Sequence, residues 1–455
     1  MRRFLLVLLL LPLPAMVFAE GKVHEYQLDN GMKVIVKEDH RAPIVVSQVW
    51  YKVGSSYEHH GITGVSHVLE HMMFKGTEKL PPGEFSRIIA ANGGRENAFT
   101  GRDYTAYFQT LSKDRLEVSF ELEADRMRNL ILLPEEFAKE VEVVKEERRM
   151  RTEDKPTSLT YEQFMAAAYR SSPYRNPIIG WMNDLDNMEV EDLRDWYRRW
   201  YAPNNATLVV VGDVEPKAVL ALAKKHFGPL EPEGLKPAKP PREPKQLGLA
   251  RIKVKAPARQ PYLVMGFKSP VLGQADEDWE AYALEMLVAI LDGGDSARFA
   301  RNLVRGKEIA VSAGAGYSAF SRLPGLFVVS GNPADGHSIE ELEQALRDEV
   351  DRLKTERVTE AELARVRAQV IASRVYEQDS IFYQAMELGT LETIGLDWRL
   401  GDEYVDRMKA VTAEQVQAVA KKYLVEDQLT VAVLEPLSME LKQPVASSTG
   451  GGHGH

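Results

Sequence analysis

Between Pro229 and Pro244 the chain reads PLEPEGLKPAKPPREP, with six prolines. Each proline fixes φ and removes a backbone donor, so neither a helix interior nor a sheet interior can run through the segment. Residues 229–247 are therefore expected to form an extended, semi-rigid linker, and the chain must fold as two bodies, 20–228 and 248–441. The two stretches end alike. VEDLRDWYRRWYAPNNATLVVVGDVEP (190–216) and TAEQVQAVAKKYLVEDQLTVAVLEP (412–436) each give an amphipathic helix, a short polar loop and a β-branched strand closing on Glu-Pro. An internal duplication is the economical reading.

The openings of the two stretches agree with it. In HEYQLDNGMKVIVKE, Asn30-Gly31 sits between two alternating runs and predicts a hairpin, and PIVVSQVWYKVG supplies a third strand. In the second stretch RIKVKAP and QPYLVMGFKSP read as strands ahead of a helical DEDWEAYALEMLVAIL. Hairpins mixed with long helices, without regular βαβ alternation, predict an α+β class: two homologous domains joined by the proline-rich strap.

The ends of the chain follow other rules. Arg2 and Arg3 precede an apolar run that closes on Val17-Phe18-Ala19, which predicts a cleaved secretory signal over 1–19. As a membrane anchor the run is too short and is interrupted by Pro12 and Pro14. There is no cysteine, so an exported chain must be held by core burial alone. The formal net charge is −10 with scattered basic residues, which gives no footprint for nucleic acid or an anionic membrane. A periplasmic location is expected. The tail 442–455, ending SSTGGGHGH, is compositionally disordered, and His453 and His455 suggest adventitious metal binding at most.

Chemistry concentrates in GVSHVLEHMMFKGT (64–77). On a helix His67 and His71 are four residues apart and Glu70 is three from His67, so all three leave one face, while Val65, Val68, Leu69, Met72 and Met73 are apolar. Buried imidazoles and a buried carboxylate need partners. Zinc would supply one, together with a third protein ligand and an open position for water; a pair of satisfied core histidines beside an ion-paired glutamate is the structural alternative. Candidates for the third ligand lie in PEEFAKEVEVVKEERRMR, a helix with Pro134 in its first turn and Phe137, Val141 and Val144 on its apolar stripe. Glu140 and Glu147, two turns apart, sit on or beside that stripe, whereas Glu135, Glu136, Glu142 and Glu146 point more toward solvent. His59 and His60 lie in a glycine-rich loop and are expected to be solvated.

His67-x-x-Glu70-His71 is the inverted form of a catalytic zinc signature. Together with Phe74-Lys75-Gly76-Thr77 and GGRENAFTGRDYTAYF (93–108), it makes the chain resemble the pitrilysin/insulinase family of zinc metallopeptidases over nearly its whole mature length. The resemblance implies that His67, His71 and Glu147 bind zinc, that Glu70 is the general base, and that Glu140 is a supporting acidic residue. It also implies that Asn97, Ala98 and Phe99 form an edge strand on which a peptide substrate adds as a further strand.

The sequence departs from the family in one place. Where self-sufficient members carry an arginine and a tyrosine seven residues apart, this chain has Val304 and Val311, neither of which can donate a hydrogen bond. Arg305 and Tyr317 are nearby, but Tyr317 lies too far along the strand to substitute. The expectation is a zinc-bearing endopeptidase subunit that works with a homologous partner supplying those donors, a homodimer being the other arrangement. A non-catalytic peptide-binding or assembly subunit is the alternative function, and a zinc buffer a weaker third.

Overall fold

The computed structural model describes residues 21–236, 239 and 241–438, so the leader 1–19 and the tail 442–455 expected above lie outside it. Asn30-Gly31 does turn the chain. Gly31 takes φ 87°, and Asn30 accepts the Met32 N–H and donates to the Phe227 carbonyl, joining β1 (Val23–Gln27) to β2 (Lys33–Glu38). With β3 (Ile44–Tyr51), β4 (Arg95–Thr100), β5 (Thr105–Ser112) and β6 (Ala206–Gly212) they form a six-stranded sheet ordered β1-β2-β6-β3-β5-β4. The second sheet contains β7 (Ala250–Pro257), β8 (Tyr262–Ser269), β9 (Ala310–Gly316), β10 (Gly325–Pro333) and β11 (Leu429–Leu437), ordered β7-β11-β8-β10-β9.

Dropping β1 makes the two sheets the same. In each, the strand from the end of the stretch inserts parallel to the first strand, β6 beside β2 and β11 beside β7, and the other neighbours are antiparallel. The duplication seen at the ends of the two stretches is thus a duplication of topology, and the class is α+β.

The first stretch contributes α1 (Val65–Met72), α2 (Glu84–Ala91), α3 (Leu116–Arg128), α4 (Pro134–Arg148), α5 (Pro156–Ala168), α6 (Met182–Asn187), α7 (Val190–Trp200) and α8 (Pro216–His226). The second contributes α9 (Trp279–Asp292), α10 (Ile339–Thr355), α11 (Glu360–Gln378), α12 (Ile381–Ile394), α13 (Leu400–Ala410) and α14 (Ala413–Tyr423). One face of each sheet is covered by helices of its own stretch. Val34, Val49 and Val210 pack with Val68 of α1 and Trp196 of α7; Met265, Phe267 and Val431 pack with Leu287 of α9 and Leu346 of α10.

The opposite faces are covered by exchange. Helix α12 lies on the back of the first sheet, where Ala385 and Leu388 meet Ile35, Val46, Trp50 and Val209. Helix α5 lies on the back of the second, where Phe164 and Met165 meet Val264, Leu326 and Ala432. Because both faces are buried, β6 and β11 carry near-continuous apolar runs instead of alternating ones.

The two contacts are built with their sizes inverted. Trp50 on β3 pairs in register with Thr207, and its counterpart Gly266 on β8 pairs with Thr430. A Cβ at Gly389 of α12 would lie 2.1 Å from Trp50, and one at Gly266 would lie 2.4 Å from Phe164 of α5. In one half the strand supplies the bulk and the helix the gap; in the other the roles are reversed.

The described part of the strap has no helix or strand, as its prolines require, but it is pinned at one point. The Glu243 carboxylate accepts the N–H groups of Arg170, Ser171 and Ser172 at 2.8, 2.9 and 2.8 Å and pairs with Lys268 at 3.0 Å. Burial opposes its charge, yet those donors hold its pKa down to about 2.

Candidate metal centre

Helix α1 starts at Gly64, where φ is 91° and a Cβ would lie 2.7 Å from the Ile179 carbonyl oxygen, so the tight entry requires glycine. The free N–H groups of its first turn are met by the buried carboxylate of Glu58, which accepts from Gly64 at 2.7 Å and Ser66 at 2.9 Å. Burial raises the Glu58 pKa to about 7 against the pull of those two donors. Val65, Val68, Leu69 and Met72 turn into the core, which leaves His67, Glu70 and His71 facing a cleft of about 870 Å³. Helix α4 is oriented in the same way: Val141 and Val144 are buried, Glu140 and Glu147 flank them, and Glu135, Glu142 and Glu146 are exposed.

Three donor atoms converge where the two helices meet. His67 Nε2 and His71 Nε2 stand 3.7 and 3.6 Å from one oxygen of Glu147, and the three side chains are only 12, 23 and 14% exposed. These separations are too long for hydrogen bonds. They are close to the ~3.4 Å between donors that share a tetrahedral ion at ~2.0–2.2 Å. Burial, with the neighbouring His71 and Arg151 acting in the same direction, moves the His67 pKa down to about 3, so its imidazole is neutral, the form that ligates. The donor set therefore fits zinc: two neutral imidazoles and a carboxylate, with a cleft on the open side.

The neighbouring groups orient these donors. Glu140 is not in the donor cluster. It sits behind His71, 3.2 Å from Nδ1, and is itself held by Lys75 at 2.6 Å, which fixes the ring so that Nε2 points at Glu147. Arg151, in the turn of π-helix that follows α4, holds the second oxygen of Glu147 at 2.6 Å. Glu70 accepts a hydrogen bond from the Thr100 hydroxyl, and burial raises its pKa.

Asn97, Ala98 and Phe99 lie on β4, the outermost strand of the first sheet, and line the same cleft. His59 and His60 are exposed and stand outside the cluster. On the second sheet Val311 is 54% exposed on β9, and Val304 packs partly against that half's core. Neither lines the cleft. Arg305 donates to the Asp295 carbonyl and Tyr317 to the Pro270 carbonyl, so both nearby donors are already engaged.

Sequence reasoning missed Glu58, Thr100, Lys75 and Arg151. Thr100 follows the three edge-strand residues directly, and its position on that strand could have marked it. Glu58 carries no local signal, because its carboxylate reaches a helix that starts beyond a glycine-rich loop.

Comparison with known proteins shows what the chain as a whole is similar to. The sequence model of the insulinase family, peptidase family M16, matches residues 33–181, and that of the peptidase M16 inactive domain matches 187–370. The chain is 32% identical to the zinc protease PqqE of Helicobacter pylori over 94% of its own length and 97% of that protein's, and 25% identical to the zinc protease YmxG of Bacillus subtilis over 91 and 98%. The crystal structure of a protease from Helicobacter pylori superposes with a TM-score of 0.87 at 30% identity, covering 92% of this chain and all of that one. The periplasmic protease PqqL of Escherichia coli shares the fold at a TM-score of 0.77 and 20% identity, this chain spanning 91% of itself but 47% of PqqL. With its two family matches, its full-length relative and its duplicated α+β sheets, the chain belongs to the insulinase family of peptidases, family M16.

Proposed function

We propose that the protein is a zinc metalloendopeptidase that hydrolyses unfolded peptides, with His67, His71 and Glu147 as the zinc ligands. The observation that carries this reading is the convergence of three largely enclosed donors that make no hydrogen bonds to one another, beside a carboxylate whose pKa burial raises. Zinc held by these donors would supply a Lewis acid and make a bound water acidic near neutral pH. Glu70 takes the proton of the attacking water and returns it to the leaving amine, a role suited to a carboxylate whose burial raises its affinity for protons. Glu140 keeps His71 oriented, and Arg151 does the same for Glu147. The peptide lies in extended form along Asn97, Ala98 and Phe99, and the free edge of β4 supports this by offering unpaired backbone groups.

The chain works as one part of a larger enclosure. Val304 and Val311 leave the developing oxyanion without side-chain donors, which a homologous chain with arginine and tyrosine would supply; PqqL, about twice this length, is a relative with room for two such units. The leader expected over 1–19 supports export to the periplasm; among the described residues no helix is long and apolar enough to cross a membrane. Glu70→Gln should keep one zinc per chain and lose hydrolysis, and mixing the wild-type protein with such a partner should raise its rate roughly a hundredfold or more. Substantial activity in Glu70→Gln would overturn the base assignment.

A second reading has one observation in its favour. The match of 187–370 to an inactive-domain model, together with the missing donors, is what a non-catalytic peptide-binding subunit would also give. Stoichiometric zinc with no cleavage, alone or mixed, would select it.

A further inference from the structure

Three carboxylates and three guanidiniums line the cleft, but they are not paired with one another one to one. Its acids are Glu70, Glu147 and Glu162. Glu162 is taken up by Arg148, which donates to its two oxygens at 2.7 and 2.9 Å, and Glu147 by the donor cluster and Arg151. Two further cations on the wall, Arg102 and Arg175, have no carboxylate partner among the described residues. Arg175 gives one N–H to the Arg170 carbonyl at 3.2 Å. Arg102 lies two residues beyond Thr100, the residue bonded to Glu70; its guanidinium rests 5.3 Å from the centre of the Tyr174 ring, and its buried Nε–H has no acceptor.

Arg102 also lines a second cavity of about 410 Å³, which adjoins the first at Tyr161 and Met165 and runs on to β9 and β10. A chain of net charge −10 thus keeps two arginines without an ion-pair partner on the wall of its cleft, where partial burial strengthens their field. A guanidinium set over an aromatic ring, with no carboxylate partner of its own, is suited to a carboxylate, which accepts two parallel N–H groups.

We propose that Arg102 and Arg175 select peptides by a substrate carboxylate. The carboxylate comes from an aspartate or glutamate side chain near the bound segment or from the peptide's C-terminus. The inference rests on the peptidase reading only for the presence of a peptide in the cleft, and binding tests it without turnover.

The experiment uses zinc-loaded Glu70→Gln protein and fluorescently labelled unstructured decapeptides. The peptides carry a single aspartate or glutamate, or the matching asparagine or glutamine, and each is made with a free or an amidated C-terminus. Acid-bearing peptides should bind roughly tenfold or more tightly than their amide analogues, a contrast that weakens at high salt. Arg102→Gln or Arg175→Gln in the same background should each shrink the ratio, and Arg102→Lys should restore part of it, keeping the charge but not the fork.

A preference that follows the side chain assigns an acidic residue as the source; one that follows only the free terminus assigns the C-terminus. Equal affinity for acid and amide peptides overturns the proposal, as does a preference that persists in both arginine variants. If Arg102→Gln fails to fold, Arg175→Gln and the ratio in the unaltered background decide. Cleavage by the wild-type protein, alone and mixed with a homologous chain that carries the arginine and tyrosine, is scored separately: no cleavage in either case with the preference intact would sink the peptidase reading alone, and cleavage without preference would sink this one alone.

Discussion

Helices α1 and α9 follow equivalent strands of duplicated sheets, and each buries a glutamate, with opposite results. Glu285 on α9 accepts from the Ala319 N–H at 3.2 Å and the Tyr404 hydroxyl at 2.9 Å, so its oxygens are occupied by neutral donors and its pKa is raised by burial. It is a structural carboxylate. Glu70 on α1 has one hydroxyl partner and stands beside His67 and His71, whose Nε2 atoms face Glu147 without bonding it. The fold needs neither histidine, because α9 packs as well with apolar residues in the corresponding turns. The donor cluster is therefore a property of a few side chains carried by one copy of a duplicated scaffold whose other copy packs without them.

The comparison breaks most readily at the two glutamates. Glu70→Gln should lower turnover of a peptide by roughly 10²–10⁴-fold with zinc retained, whereas Glu285→Gln should leave zinc and turnover in place; a large kinetic loss from Glu285→Gln would mean that the second copy is not chemically silent. His71→Ala should lose stoichiometric zinc by elemental analysis, and full metal content in that variant would remove His71 from the ligand set.

The inverted contacts sharpen it on the side of stability. Trp50→Ala and Phe164→Ala should each destabilise by about 3–5 kcal/mol in urea unfolding, since both rings are fully buried. Gly389→Ala and Gly266→Ala should each cost about 1–3 kcal/mol through overpacking. Joining Trp50→Ala with Gly389→Ala should cost less than the sum, because the cavity relieves the clash; strict additivity would show that the two residues are not in the contact described.

The smallest effect concerns the cap of α1. The folded-state pKa of Glu58 is raised from 4.5 to about 7, so between those values the folded protein binds more protons than the unfolded chain, and this group's contribution to stability falls as pH rises. In the metal-free protein Glu58→Gln should flatten that part of the pH dependence of the urea midpoint; an unchanged profile would show that the carboxylate is not held in the burial described.

Much of this was legible in the sequence because it is local. Asn30-Gly31 encodes a turn, the stripe of Val141 and Val144 sets the face of α4, and the spacing of His67, Glu70 and His71 sets one face of α1. Periodicity could not separate Glu140 from Glu147, because both flank the same stripe. The family resemblance chose Glu147, and the geometry shows why the two differ: one meets both histidines, the other stands behind a single ring.

What was not legible depends on distant partners. Nothing in PTSLTYEQFMAAA announces that α5 covers the second sheet, since the residues it meets, Val264, Leu326 and Ala432, lie across the strap. The staple at Glu243 escaped for the same reason: its donors are backbone N–H groups at 170–172, which no side-chain pattern records.

The exchanged helices also set a clock. The back of the first sheet is closed by residues far along the chain, as the bonds from Lys37 to Gln378 and from Trp398 to Glu25 show, spanning 341 and 373 positions. At a synthesis rate of about 5–20 residues per second, roughly 20–75 s separate the appearance of the apolar face around Ile35, Val46 and Trp50 from that of its cover. Closing so long a loop adds its own entropic delay. Through that interval the first sheet presents a sticky surface with no partner, and a chain cut at the strap would present it permanently. A holding chaperone that covers apolar strands through that interval is therefore the natural escort of this fold.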